Sequence, residues 1–271
     1  MTEHFPTSRR ALVYLAMAFG ITWVAWGILV VLAQRYFTSY GAWPYMTLYV
    51  LGGLGPTIAA YLAVWRTPEQ APVREFNQRL LHWRVRPVWY LLALGLPLAL
   101  GFIAIGVAVA LKPALGDSVH IKSWYLFPQY LLMTIIGGGL EEFGWRGVTQ
   151  DEWGRVIGPA RAALLIGPVW ALWHLPLFFL PGVVQYHASF ALFLVGIMGN
   201  ALLLGWLYSR TRSILLCVLM HAAINAVLIM GINVPTGMGM GLVGPCLSLC
   251  VGALLFLSMG RRSEPHESVV R

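Results

Sequence analysis

Residues 137–147 read Gly137-Gly138-Gly139-Leu140-Glu141-Glu142-Phe143-Gly144-Trp145-Arg146-Gly147, closing an apolar stretch that begins near Trp124. Ionised groups at membrane depth are costly, and they face a protein interior or a water-filled cavity. On a helix Glu142 and Arg146 stand four residues apart and can pair on one face. Glu141 lies about 100° round the helix from its neighbour, so the arginine does not obviously claim it. One carboxylate is provided for and the other is free to act. The glycines before the pair let other backbone approach closely, at some cost in helix stability.

The rest of the chain is as apolar as this stretch implies. Of 271 residues, 59% are hydrophobic and only 10% charged, and the mean hydropathy is +0.73. Such a composition excludes an ordinary soluble domain. Cys217, Cys246 and Cys250 all fall in apolar runs and offer neither a disulfide framework nor a metal-binding C-x-x-C. A net charge of +8 could point to nucleic acid, but the charges sit between hydrophobic runs and report topology instead, so no nucleic-acid partner is expected.

Eight stretches reach the length a bilayer requires, about 20 residues each. They lie near Ala11–Ala33, Pro44–Trp65, Val88–Leu111, Tyr125–Trp145, Ala162–Leu180, Ala188–Tyr208, Ser213–Gly231 and Met240–Met259. The expected fold is therefore all-α, a polytopic bundle of about eight transmembrane helices forming one domain over residues 1–271. Its motif-bearing core spans about 125–231, and a polar tail follows at 261–271. Arg66–Pro87 reads as an interfacial segment and Asp151–Arg161 as a short polar connector. With both termini cytoplasmic, fifteen of the eighteen Lys and Arg residues fall on the cytoplasmic side, leaving Arg35, Lys112 and Lys122 opposite. That asymmetry obeys the positive-inside rule and supports the count and the orientation.

Only two histidines sit well inside spans. His174 follows Trp170 by one turn in the fifth, and His221 opens His221-Ala222-Ala223-Ile224-Asn225 in the seventh, sharing a face with Asn225. His174 is about 18 Å and His221 about 12 Å from the cytoplasmic starts of their helices. Glu141 enters from the same side, near its span's end or deeper if the helix continues past Trp145. A lone histidine or asparagine can be interhelical glue, and Glu142 with Arg146 reads first as a structural ion pair. Glu141, His174, His221 and Asn225 together favour a functional, cytoplasm-facing cavity.

These residues carry a resemblance. EEFGWR resembles the E-E-x-x-x-R motif of the CAAX protease and bacteriocin-processing (CPBP, or ABI) family of intramembrane proteases. WALWH is similar to its F-x-x-x-H motif with Trp170 in place of phenylalanine, and HAAIN to its H-x-x-x-N motif. The likeness runs from Gly137 to Asn225, and the layout resembles the type II CAAX prenyl endopeptidases. It implies that Glu141 is the catalytic carboxylate, that His174 helps it activate a water, and that His221 and Asn225 hold the oxyanion, with Glu142 and Arg146 bracing the site. It also implies a multi-pass protein of a bacterial cytoplasmic membrane, cutting a peptide or protein substrate, lipidated or membrane-associated, near the cytoplasmic leaflet. The alternative is a non-catalytic adaptor or bacteriocin-immunity protein of the same family.

A metal is the main fork. Glu141, His174 and His221 make a plausible zinc set with an open position, yet there is no H-E-x-x-H pair, so a metal-free glutamate mechanism without a cofactor is favoured. No serine motif suits a rhomboid-like protease, no aspartate lies inside a span for a presenilin-like dyad, and no paired broken helices suggest a transporter.

Overall fold

The computed structural model describes residues 9–66, 72–235 and 239–260; the polar tail expected at 261–271 lies outside them. Every regular element among the described residues is helical. In chain order these are α1 (Arg9–Gln34), α2 (Trp43–Gly53), α3 (Gly55–Trp65), α4 (Pro72–Leu80), α5 (Pro87–Leu111) and α6 (Phe127–Ile136). There follow α7 (Glu142–Gly144), α8 (Asp151–Ile157), α9 (Pro159–Trp173), α10 (Phe190–Thr211), α11 (Ile214–Ile229) and α12 (Val243–Gly260).

The expectation of eight full-length spans needs correction. Among the described residues four helical segments are long and apolar enough to cross a membrane, namely α1, α5, α9 with its short extension to Phe179, and α10. A fifth arises if α2 and α3, bent by 41° at their junction, count as one span. Each of the other three apolar stretches also folds as helix, but in shorter pieces. The fourth is cut at Gly137–Gly139 and continues as a 3-10 turn over Gly139–Glu141, α7, a π-turn over Trp145–Gln150, and α8. Asp151–Arg161 is therefore no connector; most of it is helical, and Glu141 lies in mid-path rather than at an end. The last two, α11 and α12, are also shorter than a bilayer's usual requirement.

The backbone freed at the breaks is satisfied by side chains, as hydrocarbon demands. At the α2–α3 bend the Thr22 hydroxyl donates to the Gly52 carbonyl at 2.7 Å. Beyond it, Thr57 donates to the Leu140 carbonyl at 2.8 Å, tying α3 to the segment that carries Glu141. Small residues let the helices approach: Gly55, Ala59, Ala60 and Ala63 of α3 are buried where that helix meets α1. Helix α10 packs against α9 and α12, and α11 against α5 and α6. The outside is apolar instead, with Val24 and Ile28 of α1 and Leu91, Phe102 and Ile103 of α5 exposed. This polar-in, apolar-out arrangement suits an integral membrane protein.

Helix α4 has one buried hydrophobic anchor, Phe76, seated against Tyr61 and Phe143. Its second tether is ionic. Arg79 reaches Asp151 Oδ2 at 2.6 Å, Arg155 reaches the same oxygen at 2.9 Å, and Arg212 and the Tyr208 hydroxyl both donate to Oδ1. The buried carboxylate thus ties α4 to α8 and to the α10–α11 corner. Asp151→Asn is expected to destabilise the protein by about 1–3 kcal/mol, since the exposed Arg155 and Arg212 can recover water but the largely buried Arg79 loses its counter-charge. Thermal melting and faster proteolysis within α4 would register the change; an unaltered melt would show that Phe76 alone suffices.

Candidate active site

Glu142 and Arg146 form the ion pair that their spacing anticipated, Nη1 lying 2.9 Å from Oε2 and 3.0 Å from Oε1. Both side chains are wholly buried. The arginine is delivered inward by the π-turn, all six of whose residues are buried. Such turns are rare and frequently accompany functional sites. Arg146 Nη2 adds a bond to the Ala201 carbonyl at 3.4 Å, and its guanidinium lies 4.9 Å from the Trp170 ring centre.

Glu141 takes a different partner. The Trp170 indole N–H donates to its Oε2 at 2.8 Å. Trp145, whose buried indole N–H closes no hydrogen bond of its own, also interacts with this carboxylate. Sequence reasoning set Trp170 beside His174, where the two rings lie 6.0 Å apart between centres, but missed that either indole serves Glu141. The signal was available, because a tryptophan buried in an apolar span must still place its N–H.

His221 is bound to the brace. Its Nδ1 lies 2.8 Å from Glu142 Oε1. A carboxylate there accepts, so Nδ1 carries the proton and Nε2 is left facing Gly138. His174 is held similarly, with Nδ1 2.9 Å from the Trp170 carbonyl. Among the described residues His174 makes no direct hydrogen bond to Glu141; Trp170 joins them instead, with its indole on one and its carbonyl on the other. The His174 ring is enclosed by Trp173 at 4.6 Å and Phe193 at 5.1 Å between ring centres.

The glycine run explains how α11 comes close enough. Gly138 has φ +152°, and a Cβ there would collide with Asn225 Nδ2 and stand 3.1 Å from His221 Nε2. Both side chains therefore converge on the space that this glycine leaves open. Asn225 Nδ2 also reaches the Gly137 carbonyl at 3.4 Å. At Gly144 a Cβ would collide with the Tyr14 ring, so α1 closes the other side of the cluster.

The zinc set left open by the sequence does not assemble. Among the described residues no three His, Cys, Asp or Glu side chains gather as a ligand group. Each site histidine has its Nδ1 committed to a protein acceptor.

The fold and this cluster define an all-α integral membrane protein built around a buried Glu-Glu-Arg-His constellation. Residues 123–227 match the family model described as Type II CAAX prenyl endopeptidase Rce1-like. Across 231 residues the chain is 24% identical to a protein of Methanococcus maripaludis named CAAX prenyl protease 2, covering 78% of this chain and 81% of that one. The matched segment contains Glu141, Glu142, Arg146, His174, His221 and Asn225, so the likeness to CAAX proteases covers every residue of this cluster.

Proposed function

We propose that this protein is an intramembrane endopeptidase that hydrolyses a peptide bond of a membrane-associated or lipidated substrate. The observation that carries the reading is the gathering of Glu141, His221 and His174 round one buried indole, with Asn225 converging on the same space as His221 Nε2. Glu141 is the general base. It takes a proton from a water whose oxygen attacks the scissile carbonyl carbon, and His174 Nε2 orients that water through its lone pair. The resulting oxyanion meets Asn225 Nδ2–H and His221 Nε2. His221 donates there only as imidazolium, for which Glu142 supplies the counter-charge. The C–N bond then breaks as Glu141 returns its proton to the leaving amine. Buried donors without a hydrogen-bond partner among the described residues, Tyr14 Oη and the Trp173 indole, are consistent with a wet cavity.

On this reading the whole chain is one catalytic domain. The arginine-rich loops support a cytoplasmic side for both termini and for substrate entry, and the bilayer presents the substrate. The test is full-length protein in liposomes given a farnesylated peptide ending in C-a-a-X, alongside the same peptide without lipid, with products read by mass spectrometry. The lipidated peptide is expected to be cut, and cleavage is expected to survive exhaustive chelation. Activity lost on chelation and restored by zinc alone would reverse the metal-free scheme; no cleavage of either peptide would favour the adaptor reading.

A further inference from the structure

We infer that Trp170 is a positioning residue for hydrolysis, fixing both Glu141 and His174 through polar atoms on opposite parts of one residue. The inference rests on the catalytic reading of Glu141 given above. Trp170 is almost fully buried, and it touches every charged or ionisable member of the site except Glu142. Its Nε1–H donates to Glu141 at 2.8 Å and its carbonyl holds His174 Nδ1 at 2.9 Å. Its ring stands edge-on to His221 at 5.2 Å between centres, with the Arg146 guanidinium 4.9 Å from the ring centre.

The indole's charge distribution gives this arrangement a sense. An aromatic face attracts cations, whereas the ring edge and its N–H attract anions. Trp170 therefore offers Arg146 its π-system and Glu141 its donor. Two adjacent carboxylates of one type acquire different partners, the arginine for Glu142 and the indole for Glu141. A donated hydrogen bond also removes the rotational freedom of Glu141, leaving its other oxygen directed by the same constraint. Because the carbonyl of the same residue sets the His174 tautomer, base and water-orienting group are referred to a single rigid unit. A phenylalanine here would fill the space but could not supply the N–H.

Two replacements separate donor from packing in the full-length protein. Trp170→Phe removes the N–H along with one ring. Benzothienylalanine, introduced at position 170 by nonsense suppression, keeps the shape and replaces N–H by sulfur. With the farnesylated peptide, both are expected to lower kcat roughly 10–100-fold, the range for losing a hydrogen bond to a charged group, with KM unchanged; the melting temperature is expected to fall for Trp170→Phe, which leaves a cavity, and to hold for benzothienylalanine. A benzothienylalanine protein with wild-type kcat, or an effect confined to KM, would overturn the inference and leave the hydrolase reading intact. Glu141→Gln retaining the wild-type rate would remove both. A readout independent of turnover is the indole N–H resonance of Trp170 in 15N-indole-labelled protein. It is expected downfield in the wild type and shifted upfield in Glu141→Gln; a resonance that ignores the substitution counts against the hydrogen bond and the inference.

Discussion

Glu141→Gln is expected to lower the hydrolysis rate by about 10²–10⁴-fold, the usual contribution of a positioned general base, in a protein that inserts and folds as before. The substitution keeps the length and branching of the side chain. The amide oxygen can still accept from Trp170 Nε1, so the contact that orients this side chain survives. What disappears is the capacity to take a proton from water. Stability is expected to hold or rise, because a carboxylate buried against apolar rings gives up its desolvation penalty when it becomes neutral. Initial rates on the farnesylated peptide, read beside thermal melts, check both halves. A fully active Glu141→Gln protein would remove the carboxylate from the chemistry. An inactive protein whose melt has collapsed would instead reduce Glu141 to a structural role. A proteomic comparison of cells carrying the two forms would then show which membrane peptides depend on the carboxylate.

The parts of this site visible in the sequence were those set by local periodicity. Glu142 and Arg146 are neighbours on any helical path, so their pairing survived even though the path changes from α to π between them. His221 and Asn225 share a face of α11 for the same reason. The fold class was legible because apolar runs of that length leave few alternatives in a bilayer. Contacts between helices were not legible. Trp170 and Glu141 are 29 positions apart, and nothing in either segment states which edge of the indole will face inward. The partner of His221 was likewise hidden, since Glu142 had seemed fully engaged by its arginine. The span lengths failed for another reason. Hydropathy counts apolar residues but does not notice where glycines such as Gly137–Gly139 allow the chain to leave the helix.

The second large effect is expected at the buried ion pair. Arg146→Met should cost about 3–5 kcal/mol, because it strands Glu142 in a site without solvent. That is a large share of the 5–15 kcal/mol typical of a folded domain. His221 cannot compensate alone, as it meets only one oxygen of Glu142, whereas Arg146 Nη1 lies within bonding distance of both. The same change removes the Arg146 contact with the Trp170 ring and its bond to the Ala201 carbonyl. Lysine would be a poor rescue, since a single ammonium cannot reach Glu142 and Ala201 with the geometry of a planar fork. Removing both charges is different. The double variant Glu142→Gln, Arg146→Met leaves no uncompensated ion and is expected to recover most of the lost stability, yet to stay inactive because His221 no longer has a carboxylate to support its charge. Melting curves in detergent for the two variants, with turnover measured on each, separate the contributions. A single variant as stable as the wild type would show that the pair braces nothing, and an active double variant would show that His221 does not need Glu142.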